Sequence, residues 1–508
     1  ALEPDTLCVS VLHTTDLHGH ILPTSDYDGT ADRGGFARCV TQIRQWRRQN
    51  PNSILVDVGD VYQGTEVSLR NKGELMIDLF NHLKYDAWVI GNHEFDWGIE
   101  RFTNALQKST MPVLAANTTL DGKPAGSSCD LQHPFGKVQP FVCKEIEDIK
   151  VAIIGITTPG MSFWLPREFT AGIDFQHPVE SVRRAIAKAK SEGAHAIVLA
   201  GHMGLKPRTG GDDFANTVMA LTSEFPDVAA FIAGHTHQPI PSRLTNGVLF
   251  TQADHFGIHV GRVDLLFDRR STKLLRREAI CELMDSRFNP DQVVLSRAGS
   301  QLAESETALA QPIGELSETL HARGRRGQPS EIENLIGAAI TETLSERSIL
   351  VDAVMHGVLD ENAKLEAGLT RVADIWNIIP YENLIVTATL SPDEIKIVME
   401  EVYASHEPRN LLGIAVGVEG RGVARRITSM AFTDGRQLER SKRYVVALNS
   451  FDARSGGHHF MKLRALLDRP ASNWVLHPVQ TRDAVIDYFR RHKLVKRIAS
   501  KTPLGIAA

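Results

Sequence analysis

Five short apolar runs in the first half of this chain end alike, on a glycine or an acid beside histidine, asparagine or aspartate. Residues 7–12 lead into His13-Thr14-Thr15-Asp16-Leu17-His18-Gly19-His20, and residues 53–58 into Gly59-Asp60. Residues 87–90, the apolar end of a strand expected at 85–90, lead into Gly91-Asn92-His93-Glu94-Phe95-Asp96. Residues 196–200 stop at Gly201-His202, and residues 228–233 at Gly234-His235-Thr236-His237. A continuous apolar run of this length reads as a strand buried on both faces. Helical patterns at 34–49, 74–83, 100–108 and 178–192 separate the runs, and further strands are expected at 113–116 and 151–156. This alternation predicts a layered α/β domain.

In open α/β sheets, ligands bind outside the carboxyl ends of the strands. Those ends here carry imidazole, carboxylate and amide groups, which are poor packing material. The adjoining glycines let the backbone turn sharply and approach a ligand closely. The set offers two aspartates (Asp16, Asp60), one asparagine (Asn92) and four histidines (His18, His202, His235, His237), with His93 left over. Imidazole with carboxylate suits Zn, Mn, Fe, Co or Ni rather than Ca or Mg. Seven ligands exceed one closed tetrahedral site and suit two metals sharing a carboxylate. Such a pair can activate water and neutralise the attacking and leaving oxygens of an in-line displacement at phosphorus.

Asp-x-His, Gly-Asp, Gly-Asn-His-Glu, Gly-His and Gly-His-x-His, in this order, resemble the calcineurin-like metallophosphoesterases. Gly91-Asn92-His93-Glu94-Phe95-Asp96, followed by a linker and a second domain, resembles the two-domain 5′-nucleotidase family. The resemblance implies a four-layer α/β/β/α catalytic domain and a smaller α/β substrate-binding domain. It implies one metal site of Asp16, His18, Asp60 and His237, and another of Asp60, Asn92, His202 and His235, with Asp60 bridging. His93 and Asp96 match the family's catalytic dyad. The implied activity is metal-dependent hydrolysis of nucleoside 5′-monophosphates to nucleoside and phosphate. The alternatives are a 2′,3′-cyclic-nucleotide phosphodiesterase or another phosphoester or sulfur-ester hydrolase on the same scaffold, and a metal-bearing binding module.

The expected boundaries are a catalytic domain at 1–285, a polar linker helix at 286–310 and a substrate domain at 311–508. Within the last, Ser330-Glu331-Ile332-Glu333 reads as a capping box opening a helix to about residue 344. Strands are expected at 384–390 and 444–448, flanking a helix at 392–403, with a loop at 456–459. This half departs from the family pattern. Where the family has Asn-Gly-Gly-x-x-Arg, this chain reads Val354-Met355-His356-Gly357-Val358-Leu359-Asp360. The family's Pro-Phe-x-Asn is Pro380-Tyr381-Glu382-Asn383 here. Of the two rings that sandwich the base, Phe451 matches one, while no aromatic residue lies between Tyr403 and Phe432 to match the other. Gly456-Gly457-His458 stands for a Gly-Gly-Asp. The expected substrate contacts are therefore Phe451, Asn383, Gly456, Gly457 and His458. With metals in one half and substrate contacts in the other, the resemblance implies an inter-domain cleft.

A net charge of −5 gives no reason to expect a nucleic-acid polymer as partner, so a small nucleotide or other organic phosphate is expected. No apolar run is long enough to span a membrane. The start Ala1-Leu2-Glu3-Pro4 suits a mature periplasmic or secreted form after cleavage at a small residue, and equally a trimmed chain. Cys129 and Cys143 bracket a short stretch and can pair, while five buried thiols are the other reading.

Overall fold

The computed structural model describes residues 5–127, 133–165, 172–207, 209–407 and 409–499. The chain divides into two compact units, Ala1–Ser305 and Glu306–Ala508.

The first unit is built on two six-stranded sheets. One runs Leu274–Leu283, His259–Asp268, Thr6–Thr14, Ser53–Asp57, Ala87–Val89, Val113–Leu114. Its last four strands are parallel, and the first two add as an antiparallel hairpin. The other runs Pro239–Thr245, Val248–Ala253, Ala230–Ala233, Ala196–Gly201, Ile149–Ile156, Phe141–Ile146, parallel except at its two edges.

Three cores account for the layering. Val9, Val11, Val56 and Val89 of the first sheet share a core with Val151, Ile153, Val198 and Ile232 of the second. The opposite face of the first sheet, through Leu12, Leu55 and Trp88, packs on helices Phe36–Gln49, Glu74–Leu83 and Ile99–Lys108. The opposite face of the second, through Ile154, Leu199 and Phe231, packs on Pro178–Ser191 and Val218–Glu224. The order is helix, sheet, sheet, helix. Both faces of every central strand are covered, which is why those strands read as unbroken apolar runs. Parallel strands share one carboxyl end, so their terminal residues all emerge along one edge of each sheet.

The linker segment forms the helix Gln292–Leu309. Val294 and Ala298, one turn apart, are buried in the first unit's core. Asn71 donates to Gln301 at 2.7 Å and Arg297 pairs with Asp78 at 3.4 Å. The division between units falls inside this helix.

The second unit has a five-stranded sheet, ordered Asn410–Leu412, Ala353–His356, Tyr444–Asn449, Leu384–Leu390, Val475–Gln480. One face packs on Glu331–Ser345 and Thr481–His492, the other on Pro392–Ala404 and Met461–Leu467. Ser330 closes a capping box with Glu333, as expected, and Ser391 closes a second with Glu394. Among the described residues, no helix is long and apolar enough to cross a membrane. The Cys129–Cys143 pairing falls outside them, because Cys129 is not described.

Candidate metal centre

The strand-end residues of the first unit converge. Asp16 follows Thr6–Thr14, Asp60 follows Ser53–Asp57, and Asn92 follows Ala87–Val89. His202 follows Ala196–Gly201, while His235 and His237 follow Ala230–Ala233. Backbone bonds knit neighbouring strand ends: Asp16 N–H donates to Gly59 O, and His18 N–H to Asp60 O, each at 2.9 Å.

Asp16, His18, Asp60, His235 and His237 all adopt positive φ, between 47° and 71°. L-residues rarely do this, and each instance costs about 1–3 kcal/mol. Strain of that sort persists where the surrounding structure over-determines it. Gly59 shows how tight the packing is. A Cβ there would lie 2.6 Å from His202 Nδ1 and 2.7 Å from the Gly91 nitrogen.

Two clusters of donor atoms result, Asp16–His18–His237 and Asp60–His202–His235, each with its atoms within 4.8 Å of one another. His237 Nε2 lies 3.3 Å from Asp16 Oδ1 and 3.3 Å from His18 Nε2. His202 Nε2 lies 3.0 Å from Asp60 Oδ2 and 3.0 Å from Asn92 Oδ1. Asp60 stands between the clusters, with Oδ2 at 3.8 Å from His18 Nε2.

The side chains suit a cation. His18 Nδ1 faces the Gln63 carbonyl at 2.7 Å and His202 Nδ1 the Val58 carbonyl at 2.6 Å. A carbonyl only accepts, so Nδ1 carries a proton and Nε2 is turned toward the other donor atoms of its cluster. Burial pushes the His18 imidazole down to about 3. Burial and the charge of His202 push His235 down to about 4. Neutral imidazole is the form that binds metal. Burial alone would raise the Asp16 carboxyl, but its bond to His237 and that ring's charge outweigh it and bring it to about 2. The same contest at Asp60 is won by His202, His93 and His18, which hold it well below the carboxylate range. Burial opposes a charge on His202, yet Asp60 raises it to about 9. Among the described residues, the ion pairs of these two buried carboxylates are with histidines, with no lysine or arginine partner. Buried anions need positive charge nearby, and two divalent ions would supply it.

His93 sits beside this centre. Its backbone N–H donates to Asp60 Oδ1 at 2.8 Å, and its ring lies 5.3 Å from that of His18. His93 Nδ1 is 2.7 Å from Asp96 Oδ2. Burial works against a charge on the ring, but Asp96 and Asp60 outweigh it and raise it to about 10.

Sequence reasoning passed over three contributors. Glu94 lies inside the quoted motif, yet only the fold shows its carboxylate accepting from the Gly91, Asp60 and Val61 nitrogens at 2.6, 3.0 and 2.7 Å. His255 follows the strand Val248–Ala253 through Asp254, so the strand-end pattern already pointed to it. Tyr27, in a polar loop, has no such signal. Its hydroxyl meets His237 Nδ1 at 2.8 Å.

In the second unit, Phe451 is 40% exposed and lies over Gly456, where a Cβ would come 2.2 Å from the ring. Gly457 and His458 take positive φ of 63° and 62° in the turn that follows. Ile385 pairs with Asn449, and Leu384 N–H donates to Ser450 Oγ at 3.1 Å. Asn383 and Phe451 therefore stand at adjoining ends of one antiparallel pair. Next to them, Arg409 is buried and bonds Asp452 at 2.8 and 3.1 Å.

Comparison with known proteins gives the same organisation. Residues 9–239 match the family model described as calcineurin-like phosphoesterase, and residues 312–465 the one described as 5′-nucleotidase, C-terminal domain. The chain thus carries a calcineurin-like phosphoesterase domain and a 5′-nucleotidase C-terminal domain. The phosphoesterase family implies divalent metals at such clusters. The chain is 27% identical over 338 residues to the trifunctional nucleotide phosphoesterase protein YfkN of Bacillus subtilis, a match covering 59% of this chain and 21% of that protein. It is 28% identical over 345 residues to the snake venom 5′-nucleotidase of Naja atra, covering 62% and 61%. The chain thus spans between about a fifth and three fifths of these relatives' lengths. In fold, the chain resembles a putative 5′-nucleotidase of Staphylococcus aureus, with a TM-score of 0.79 at 21% identity over 95% of this chain and 96% of that one.

Proposed function

We propose that this phosphoesterase is a two-metal hydrolase of nucleoside 5′-monophosphates, releasing phosphate and a nucleoside. The convergence of the two donor clusters beside the His93–Asp96 pair carries the reading. Asp16, His18, Asp60 and His237 would hold one divalent ion, and Asp60, Asn92, His202 and His235 the other, with Asp60 shared. When bound, such a pair supplies Lewis-acid stabilisation of phosphoryl oxygens and a readily ionised water. The mixture of imidazole and carboxylate favours Zn, Mn, Fe, Co or Ni.

The chain's own groups have separate tasks. The Gln63 and Val58 carbonyls fix the tautomers of His18 and His202, so their Nε2 lone pairs need no reorientation. His93 spends Nδ1–H on Asp96, which leaves Nε2–H for a phosphoryl oxygen or the leaving alkoxide. A donor already oriented costs no reorganisation when charge develops. In the second unit, the exposed Phe451 ring offers a stacking face for a base. Asn383 and the Gly456-Gly457-His458 turn offer polar groups nearby. Both curated relatives act on nucleotides by their names, which supports a nucleotide as substrate.

The test is phosphate release from nucleoside 5′-monophosphates, 3′-monophosphates, 2′,3′-cyclic nucleotides and p-nitrophenyl phosphate. Metal-stripped protein is reconstituted with Zn, Mn, Co, Ni or Fe before each assay. Preferred, metal-dependent turnover of the 5′-monophosphates is expected. Preference for the cyclic esters would move the assignment to a phosphodiesterase, and no turnover of any ester would refute it.

A further inference from the structure

Of the histidines assigned to the metals, His18 and His202 have Nδ1 fixed by backbone carbonyls. His237 is held differently. Its Nδ1 lies 2.8 Å from the hydroxyl of Tyr27, a side chain 54% exposed, 210 residues away in sequence. We propose that Tyr27 is a positioning residue for the first metal site, its phenol oxygen holding His237 so that Nε2 faces Asp16 and His18. The inference rests on the two-metal reading above.

The geometry argues for it from several directions. His237 Nε2 is 3.3 Å from Asp16 Oδ1 and 3.3 Å from His18 Nε2, so this is the nitrogen aimed at an ion. Ligation needs that nitrogen bare, which puts the proton on Nδ1. A phenol oxygen can accept it, as the two carbonyls do for the other rings. Tyr27 is itself braced. Its ring stacks on His255 at 4.2 Å with 12° between planes, and His255 stacks on His237 at 4.9 Å with 10°. His255 is almost fully buried, and Asp254, which also faces His259 at 3.0 Å, holds its Nδ1 at 2.6 Å. The loop is closed by Thr24 and Arg33, whose backbones bond reciprocally at 2.7 and 2.9 Å. Three rings thus lie nearly parallel, with His255 stacked on both of the others and those two joined by the hydroxyl contact. Outer partners of metal-binding histidines typically contribute 10–100-fold to metal affinity.

Tyr27→Phe removes the hydroxyl and keeps the stacked ring, while Tyr27→Ala removes both. Metal-stripped full-length protein is titrated with Co²⁺, following visible absorption and heat, beside Asp16→Ala, which marks the first site. In wild type, two equivalents should bind. Tyr27→Phe should bind one of them about 10–100-fold more weakly, the one Asp16→Ala loses, and leave the other unchanged. Tyr27→Ala should match it, and the metal-free variants should melt with wild type because the side chain is largely exposed. Wild-type Co²⁺ affinities in Tyr27→Phe would overturn the inference. So would weakening confined to Tyr27→Ala, which would assign the effect to the ring. A wild-type protein that binds fewer than two equivalents would overturn the two-metal reading itself, and this inference with it.

Discussion

Glu94→Gln tests how one buried carboxylate holds the two loops of the metal centre together. Glu94 is 1% exposed. Its Oε2 accepts from Gly91 at 2.6 Å and Asp60 at 3.0 Å, and its Oε1 from Val61 at 2.7 Å. Burial and the neighbouring Asp60 charge raise its carboxyl to about 7, against the amide hydrogens that favour the anion. Glutamine has the same shape with one oxygen replaced by a donor. If its oxygen takes the Oε2 place, Gly91 and Asp60 stay bonded and the NH2 faces the Val61 N–H. Val61 and one amide hydrogen then lack acceptors. Reversing the amide strands two backbone donors instead of one, which is worse. A buried donor without a partner costs about 1–3 kcal/mol, so the favoured arrangement, with two of them, loses about 2–6 kcal/mol.

That loss is local, so hydrogen–deuterium exchange of residues 58–63 and 88–96 in metal-free protein is the assay. A cost of about 2 kcal/mol corresponds to roughly 30-fold faster exchange, and the upper figure to more than a thousandfold. Segments on the second sheet, such as Ala196–Gly201, should change far less. Metal affinity should fall as well, because Val61, whose N–H loses its acceptor, directly follows Asp60 in the same loop. Acceleration below about fivefold in both segments, equivalent to roughly 1 kcal/mol, would refute the reasoning.

Asp60→Ala should abolish binding at both metal sites, whereas Asp16→Ala should weaken mainly one; elemental analysis showing two ions in Asp60→Ala would exclude a shared carboxylate. His93→Asn is expected to lower kcat by about 10²–10⁴ with metal content unchanged; loss of metal, or full turnover, would remove its catalytic role. Gly59→Ala forces a Cβ to 2.6 Å from His202 Nδ1 at a φ of 97°, so a lower unfolding temperature and weaker metal binding should appear together. Phe451→Ala should raise KM for nucleotides and leave p-nitrophenyl phosphate nearly untouched; equal slowing of both would make the ring a packing group.

Local pattern determined a great deal here. A strand buried on both faces must be apolar throughout, so the central strands of both sheets were legible as unbroken runs, and Glu74–Leu83 as a helix by its periodicity. Parallel strands must discharge their polar ends along one edge, so Asp16, Asp60, Asn92, His202, His235 and His237 were legible as a group of candidates. What local pattern could not supply was anything that depends on residues distant in sequence meeting in space. The helix Gln292–Leu309 reads as polar, yet Val294 and Ala298 are buried because the first unit presents a matching surface. The hydrogen bond between Tyr27 and His237 joins side chains 210 residues apart, and neither end carries a periodic signal. Glu94 stood in plain view within its motif, but its task is set by amides of the loop after Ser53–Asp57, 33 and 34 residues earlier. Chemistry read along the chain names the groups that can act. Their tautomers, strain and partners are properties of the folded interior, where a buried polar atom must find its partner among whatever the other strands bring.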